Sequence, residues 1–331
     1  MIAASHSLPA AWLEPLALTG DKALPNHIVP GPMEGVTEGS FCDVFSRHEL
    51  VRCWITPFIR VSTGVPRRVR LRRRIQPFLD TGLPIIVQLM GLDTERLSET
   101  ARRLAEMGVA GVDLNCACPA PLVLRNGAGG VRLQHPEWIR RALCELREAC
   151  PNCGVSVKLR TGFESPSEFS RIADAVRGTG VDFVILHFRT VRELYRPVSD
   201  GCQRLTHARD LLPETTLLGS GDLFSVEAAL RMYRDARLDG VAPARGMLKE
   251  PSLLRKIEDA CCGRKDAPAV SRIAMLRDIA AGSGRSDAAY NGFVIKLAGW
   301  FFGRDSDLFR QVVACGSLAR TVAFLRELTD G

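Results

Sequence analysis

Short apolar runs rich in β-branched residues recur along the chain, and amphipathic helical patterns fill the gaps between them. The runs are His27–Pro30, Cys53–Ile59, Pro84–Met90, Gly111–Asn115, Gly154–Leu159, Phe183–His187, Thr216–Gly219 and Gly240–Ala244. Their centres lie roughly 25 to 45 residues apart, which is the length of one strand–helix unit. Eight such units in series predict an α/β fold, a (β/α)8 TIM barrel, rather than an open sheet.

The segments between the runs have the period of helices that bury one face. In Thr94–Met107, Leu97 and Leu104 share a face that is opposite to the charged positions. Ser165 and Ser225 precede two further helical patterns and are expected N-caps, because a serine side chain can accept a hydrogen bond from the first turn.

The strand pattern stops after Met247, and a charged, turn-rich stretch at Gly263–Pro268 suggests a domain boundary. Beyond it the pattern is helical: Val270–Ala281, Ala288–Phe302 and Asp305–Leu328, with a break expected at Gly316. We therefore expect an N-terminal extension over 1–26, a barrel domain over 27–262 and a small helical domain over 263–331.

Composition excludes two classes of protein. With 46% hydrophobic and 24% charged residues, and a mean hydropathy of +0.03, the chain is neither disordered nor membrane-spanning in character.

Its 11 cysteines are scattered rather than paired, which is typical of reduced thiols in the cytoplasm. Met1–Pro25 lacks the basic start of a signal peptide. We expect a cytoplasmic monomer without an obligate protein partner.

One segment is strongly basic. Arg67–Arg74 holds six arginines in eight residues, in a chain with a net charge of +7. Such a run is usually a solvated helix face. Six arginines this close repel one another unless a counter-charge is present, so phosphate binding is the alternative interpretation.

The residues that follow the apolar runs are polar, basic or glycine-rich. They include Gln88 after the third run, Asn115 and Cys118 after the fourth, Lys158 and Arg160 after the fifth, and His187 and Arg189 after the sixth. A single buried Gln or His is usually a satisfied core residue. The carboxyl ends of all strands in a parallel barrel meet at one face, however, so this set predicts a functional site there.

The last two runs end in turns that suit phosphate. Ser220-Gly221-Asp222 and Arg245-Gly246 can offer backbone N–H groups and a guanidinium to an anion. A phosphate-bearing cofactor is therefore expected, with Lys158 near its ring system. Flavin mononucleotide (FMN) suits this arrangement, because a lysine stabilises the electron-rich edge of the reduced ring. Cys150 and Cys153 form a CxxC pair without a second pair at zinc spacing, so no metal site is predicted.

Five motifs taken together resemble the tRNA-dihydrouridine synthases, most of all the branch that modifies uridine 16. They are Pro-Met-Glu-Gly-Val at 32–36, Val-Gln-Leu at 87–89, Asp-Leu-Asn-Cys-Ala-Cys-Pro at 113–119, Val-Ser-Val-Lys at 155–158 and His-Phe-Arg-Thr at 187–190. The resemblance is clear over 28–249 and weak in the helical tail.

The resemblance implies a barrel that holds FMN, is reduced by NADPH and reduces a uridine in tRNA, with Cys118 as the acid. Cys116 would be a packing residue. The implied flavin contacts are Pro32, Met33, Glu34, Gln88, Lys158, His187, Ser220, Gly221, Asp222, Ala244 and Arg245. The implied RNA contacts are Arg60, Asn115, Tyr195 and Lys296. We expect Trp300-Phe301-Phe302 to be helix core rather than a base-stacking surface.

The chain departs from the family pattern at Ala117, Pro121, Phe188 and Ala244, where Gly, Lys, Gly and Gly are usual. Ala117 and Phe188 would crowd the backbone if those positions had positive φ. Two alternatives therefore stay open at this point. One is an FMN barrel oxidoreductase acting on a small pyrimidine or enone, and the other is an RNA-binding relative that has lost its activity.

Overall fold

The computed structural model of the protein describes residues 7–264, 270–282 and 288–328. In chain order the strands are β1 (Leu16–Leu18), β2 (Lys22–Leu24), β3 (Trp54–Ile55), β4 (Ile59–Val61), β5 (Ile85–Gly91), β6 (Gly111–Asn115), β7 (Gly154–Arg160), β8 (Phe183–His187), β9 (Thr216–Ser220) and β10 (Gly240–Val241). The helices are α1 (Gly39–Arg47), α2 (Arg68–Leu79), α3 (Thr94–Ala105), α4 (Pro121–Arg125), α5 (Pro136–Ala149), α6 (Phe169–Val176), α7 (Gly201–Leu211), α8 (Val226–Ala236), α9 (Arg245–Lys249), α10 (Leu253–Cys261), α11 (Arg272–Gly282), α12 (Ala288–Phe302), α13 (Asp307–Ala314) and α14 (Leu318–Glu327).

The strands from β3 onward form one parallel sheet that curls into the predicted barrel. Its order is β3-β5-β6-β7-β8-β9-β10, and β4 also pairs with β5. The register places Asn115 beside Lys158, and it places His187 between Arg160 and Ser220. Side chains from four neighbouring strands are therefore brought together on two adjacent levels at the carboxyl end of the sheet.

The first two predicted strands differ from the prediction, and proline accounts for both differences. The first is reduced to a single parallel bridge between Ile28 and Val241, because Pro30 and Pro32 have no N–H to continue a ladder. The second is divided into β3 and β4 around Pro57. The bridge still places the segment beside β10, so it occupies the remaining position in the ring.

The interior of the barrel changes from apolar to polar along the strands. Residues two apart share a face, and Ile86, Phe183, Ile185 and Leu218 form an apolar cluster inside the amino-terminal half. The next inward positions, such as Gln88 on β5, are polar and buried. The apolar layers fix the barrel, and the polar layers above them build the site.

The N-terminal hairpin of β1 and β2 closes the amino-terminal end of the barrel. Leu16, Leu18 and Leu24 belong to the same apolar cluster as the barrel interior. The hairpin is tied down by Asp182, which accepts hydrogen bonds from Thr19 N at 2.8 Å and Thr19 Oγ1 at 2.7 Å. The extension predicted over 1–26 is thus, in its described part, built into the barrel.

Helix ends follow the local signals in the sequence. Ser225 caps α8 by accepting a hydrogen bond from Ala228 N at 3.3 Å, as predicted. Ser165 caps a short 3-10 turn, Pro166–Glu168, that precedes α6 rather than the α-helix itself. The helix predicted over Thr94–Met107 ends slightly earlier, at Ala105.

The C-terminal part of the described chain is helical, and Gly316 has a φ of 68° at the predicted break between α13 and α14. Lys296 on α12 donates a hydrogen bond to Gly35 O at 3.2 Å, so the tail contacts the loop after the first barrel segment.

Most of the predicted boundary at 263–268 lies outside the described residues, so the division into domains stays a prediction. In the described ranges, no helix is long and apolar enough to cross a membrane.

We predict that Asp182→Ala lowers the free energy of unfolding by about 2–4 kcal/mol, because Arg147 loses its buried partner and three further donors lose their acceptor. Urea denaturation followed by circular dichroism measures this change. The control is Asp174→Ala, since Asp174 forms only an exposed ion pair with Arg177. We expect the control to change stability by less than about 0.5 kcal/mol. Equal losses in both variants would contradict the role of Asp182.

Candidate active site

A cavity of about 610 Å³ opens at the carboxyl ends of the strands. Its lining includes all but one of the residues predicted for the site: Pro32, Met33, Glu34, Gln88, Asn115, Cys118, Lys158, His187, Tyr195, Ser220, Gly221, Asp222, Ala244, Arg245 and Lys296. These side chains come from distant parts of the sequence. Their functional roles stay predictions, but the structure places them around one space.

Arg60 is the exception. It lies on β4 with an exposed side chain and is not part of the cavity lining. Its guanidinium lies 5.9 Å from the centre of the Phe58 ring, and Phe58 does line the cavity. Arg60 is therefore placed at the rim, where it could contact a ligand larger than the cavity.

Several lining residues were missed or misjudged from the sequence. Phe58, Leu194, Phe224 and Trp300 contribute apolar surface to the cavity. Trp300 is half-buried and packs against the hydrophobic core, as expected, but it also lines the cavity, whereas Phe301 is fully buried. Because both residues lie on a helix that is apolar on most sides, the sequence pattern could not tell which of them faces the cavity.

The floor of the cavity is a chain of hydrogen bonds between buried polar side chains. Asp113 accepts from Ser156 Oγ at 2.8 Å and from Gln88 Nε2 at 2.7 Å. Gln88 Oε1 in turn accepts from Asn115 Nδ2 at 2.7 Å. Burial raises the pKa of Asp113 to about 6, while the bonds from Gln88 and Ser156 act in the opposite direction. The carboxyl group is thus mainly ionised at neutral pH.

The two thiols of the motif at 113–119 lie in different environments. Cys116 is fully buried, and burial raises its pKa well above the usual range. Cys118 is partly exposed and lines the cavity. Its backbone is held on both sides, because Asn115 Oδ1 accepts from Cys118 N at 3.0 Å and Cys118 O accepts from Gly130 N at 3.0 Å. Only Cys118 is accessible to a ligand in the cavity.

The surroundings of two titratable side chains at the cavity wall, Lys158 and His187, lower their pKa values. Burial, together with the nearby Arg160, lowers the pKa of Lys158 to about 8, so most of it is still charged at pH 7. Burial and neighbouring cations lower the pKa of His187 well below its usual value. The neutral ring accepts a hydrogen bond from Arg189 N at Nδ1, at 3.2 Å. Its proton therefore lies on Nε2, which makes His187 a donor at that atom.

The turn after β9 is shaped for a close approach of backbone to ligand. Gly221 and Asp222 have φ values of 117° and 43°. The fully buried Arg189 fixes the turn by donating to Asp222 Oδ1 at 2.9 Å, and Arg245 lies 3.4 Å from the same oxygen. The backbone of this turn and the Arg245 guanidinium thus line one end of the cavity, which favours an anion there, whereas Arg189 pairs with Asp222 and is not part of the lining.

Cations and aromatic rings alternate along one wall of the cavity. Arg245 lies 4.2 Å from the centre of the Tyr195 ring and 5.7 Å from that of Phe224. Arg160 lies 5.6 Å from the centre of the Tyr195 ring, and Lys249, just outside the lining, lies 4.8 Å from that of Phe224. This wall offers flat, positively charged surface of the kind that nucleic-acid bases and phosphates bind.

The departures at Ala117 and Phe188 do not strain the site. Neither residue is among the non-glycine residues with positive φ, so the feared crowding of the backbone does not occur. The Phe188 side chain instead packs against Gly201 and Gly221 and lies under the Arg189 guanidinium at 4.8 Å.

The basic run at Arg67–Arg74 forms the first turns of α2 and the residue before it. Arg68 forms an ion pair with Glu106. The other arginines of the run have no carboxylate at ion-pair distance within the described residues, and all of them are exposed. Arg73 and Arg74 also reach a small cavity that contains Glu34, which is shared with the main cavity. The run is therefore an unneutralised surface next to the site.

The cavity fits FMN in size and chemistry. Its volume is within the range of about 300–1,000 Å³ that is usual for cofactor sites. Gln88, Lys158 and His187 provide donors beside apolar walls, and the Gly221 turn with Arg245 provides the anion site. These residues would hold the ring and the phosphate, respectively.

The fold and the cavity define the class of protein: an α/β barrel with a ligand site at the carboxyl ends of its strands. The model of the dihydrouridine synthase family matches residues 28–281. The chain therefore belongs to the dihydrouridine synthase family, which confirms the resemblance seen in the motifs.

Two relatives have names that agree with the predicted branch. The tRNA-dihydrouridine(16) synthase of Vibrio parahaemolyticus serotype O3:K6 is 32% identical over 233 residues, which are 69% of this chain and 72% of the relative. That of Escherichia coli strain K12 is 32% identical over 239 residues, or 70% and 75% of the two chains. The crystal structure of TcOYE with pHBA is similar in fold, with a TM-score of 0.56 at 12% identity, covering 80% of this chain and 96% of that one.

We predict that Gly221→Ala destabilises the protein by about 2 kcal/mol or more, because the turn needs positive φ and an added Cβ would lie 2.5 Å from the Phe188 ring. Thermal and urea unfolding measure the change. Gly64→Ala is the control, since nothing lies within 4 Å of its added Cβ. A Gly221→Ala variant as stable as the control would contradict this account of the turn.

Proposed function

We propose that the protein is an FMN-dependent tRNA-dihydrouridine synthase that uses NADPH as reductant. Family membership supports the reaction class. The single structural observation that carries the proposal is the meeting of an accessible thiol, Cys118, with Lys158, His187 and an anion-binding turn around one cavity. The fit of that cavity to FMN argues against a relative whose site has decayed.

In the proposed reaction, the C5=C6 double bond of a uracil base gains a hydride at carbon 6 and a proton at carbon 5. When bound, reduced FMN supplies the hydride. Cys118 donates the proton from its thiol and later regains one from solvent. Lys158 and His187 orient the bound ring system through N–H donors, and the apolar side chains of Phe58 and Trp300 exclude water from it.

A folded RNA, rather than a free pyrimidine, is the substrate that we propose. The target base has to leave the RNA stack to reach the cavity, and aromatic and guanidinium surfaces such as Tyr195 and Arg245 can bind it there. Lys296 on α12 lies at the same mouth, and Arg60 lies at its rim. By its similarity to the named relatives, we propose uridine 16 of the D-loop as the target.

The direct test is to assay the purified protein with flavin, NADPH and unmodified tRNA. We expect a yellow protein that forms dihydrouridine in tRNA and does not reduce free uridine at a comparable rate. Mass spectrometry of digested tRNA locates the modified position. A colourless protein that cannot be reconstituted with FMN would refute the enzyme assignment, and activity on small enones alone would favour a different oxidoreductase.

We predict that Cys118→Ala retains flavin but forms dihydrouridine at least about 100-fold more slowly, because it removes the general acid. Cys116→Ala is the matched control from the same motif. Since Cys116 is fully buried and cannot meet the substrate, we expect its activity to stay near that of the wild type once folding is confirmed. Single-turnover assays with pre-reduced enzyme measure both. Loss of activity only in Cys116→Ala would reverse the assignment.

We predict that replacing Arg72, Arg73 and Arg74 together with Ala weakens tRNA binding and flattens its salt dependence. Each arginine that contacts a phosphate contributes about 0.7–0.9 to the slope of log K against log salt. Filter binding at several salt concentrations measures the slope.

The control for this prediction is a triple substitution of Arg140, Arg171 and Arg177, which removes the same charge from α5, α6 and the residue after α6. We expect it to leave the salt slope closer to that of the wild type. If both triple variants change the slope equally, the arginines of α2 contribute to tRNA binding only through the overall positive charge of the protein.

A further inference from the structure

Asp113 lies beneath the cavity: it is fully buried and is not itself part of the cavity lining, although its hydrogen-bond partner Gln88 is. It is a carboxylate that can only accept hydrogen bonds when it is ionised. It occupies the inward face of β6, at the same level as Gln88 on β5 and Ser156 on β7. The proposed reaction does not use this buried acid, and its position needs another explanation.

In the hydrogen-bonded chain that begins at Asp113, each amide donates to the residue before it: Gln88 donates to Asp113, and Asn115 donates to Gln88. Because the carboxylate accepts, Gln88 must turn its Nε2 toward it, at 2.7 Å. Gln88 Oε1 is then left facing Asn115, so Asn115 must donate from Nδ2, at 2.7 Å. The orientation of one amide fixes that of the next.

The same chain of hydrogen bonds extends from Asn115 into the loop of Cys118, the proposed acid. With its Nδ2 committed to Gln88, Asn115 presents Oδ1 to the backbone, where it accepts from Ala117 N at 3.1 Å and Cys118 N at 3.0 Å. If Asn115 were turned over, its Nδ2 would face these two N–H groups and both bonds would be lost. The position of Cys118 thus depends on the amide orientation that begins at Asp113.

We propose that Asp113 is a positioning residue that sets the amide orientation of Gln88 and Asn115. Through Asn115 it holds the loop that carries Cys118. Each amide keeps one further N–H, and both side chains line the cavity, so together they offer donors to acceptor atoms such as the carbonyl oxygens of flat rings. This inference deepens the proposed function and, as regards catalysis, rests on it.

The test compares variants that remove the acceptor with variants that keep it. Asp113→Ala and Asp113→Leu remove it, and Gln88→Met breaks the same chain one link later. Asp113→Asn keeps an oxygen for Gln88, because its amide can donate to Ser156 Oγ instead. Ser156→Ala is the matched control, since it touches Asp113 but leaves the bond from Gln88 in place.

The readout is the rate at which iodoacetamide alkylates Cys118, relative to the exposed Cys262 of the same molecule, measured by peptide mass spectrometry at equal flavin content. Loss of one buried hydrogen bond corresponds to a change of about fivefold in an equilibrium constant. We expect the ratio to rise about fivefold in the acceptor-free variants and in Gln88→Met, and to stay at the wild-type value in Asp113→Asn and Ser156→Ala. An unchanged ratio in any folded variant of the first group would overturn the proposal.

This readout needs no tRNA, so it separates the two claims. A wild-type protein without dihydrouridine formation refutes the proposed function and leaves the alkylation series as a test of the positioning role. If the proposed function holds, Asp113→Ala should also lower the single-turnover rate while retaining flavin, and Asp113→Asn should restore it. Failure of that rescue in a folded Asp113→Asn variant would count against the positioning role alone.

Discussion

Buried positive charge is the constraint on which the open end of the barrel depends. Arg160 and Arg189 are almost fully buried at the ends of β7 and β8, and a buried guanidinium is stable only when its N–H groups find acceptors. Arg160 donates to Ala117 O at 2.9 Å, Thr190 O at 2.8 Å and Leu194 O at 2.9 Å. One side chain therefore joins the loop of Cys118 to the loop before Tyr195.

Arg189 has the corresponding role on the other side of the site, where its partner is a carboxylate. Its ion pair with Asp222 holds a turn with positive φ that would be strained alone. The remaining cations, Lys158 and Arg245, are only partly balanced by Asp113 and Asp222. Burial, and after it the neighbouring cations, lower the pKa of Lys158 and His187. A bound phosphate would supply the missing negative charge, so loop order and anion binding have the same physical origin.

The sequence predicted the barrel and most of the cavity lining because both follow from periodicity. Every apolar run of a parallel barrel ends at one face, so Gln88, Lys158 and His187 could be grouped without a structure. Trp300 and Phe224 could not be found in this way, since their orientation is decided by packing of helices and loops. The division of the second strand at Pro57 was readable in principle, because proline interrupts a ladder. The hydrogen-bond direction from Asp113 required atomic distances.

The replacement of a usual glycine by Phe188 shows how a departure from the family pattern can be accommodated by its neighbours. A large ring at this position needs space, and Gly201 and Gly221 provide it, since an added Cβ at either would lie within 3.0 Å of the ring. The ring in turn packs against the guanidinium of Arg189, which fixes the turn at Asp222. Phe188 therefore packs against the turn at Gly221 and Asp222 and does not line the cavity. The substitution taken by itself would suggest a damaged site, whereas the packing shows that the ring fits beside Gly201 and Gly221 and contacts Arg189.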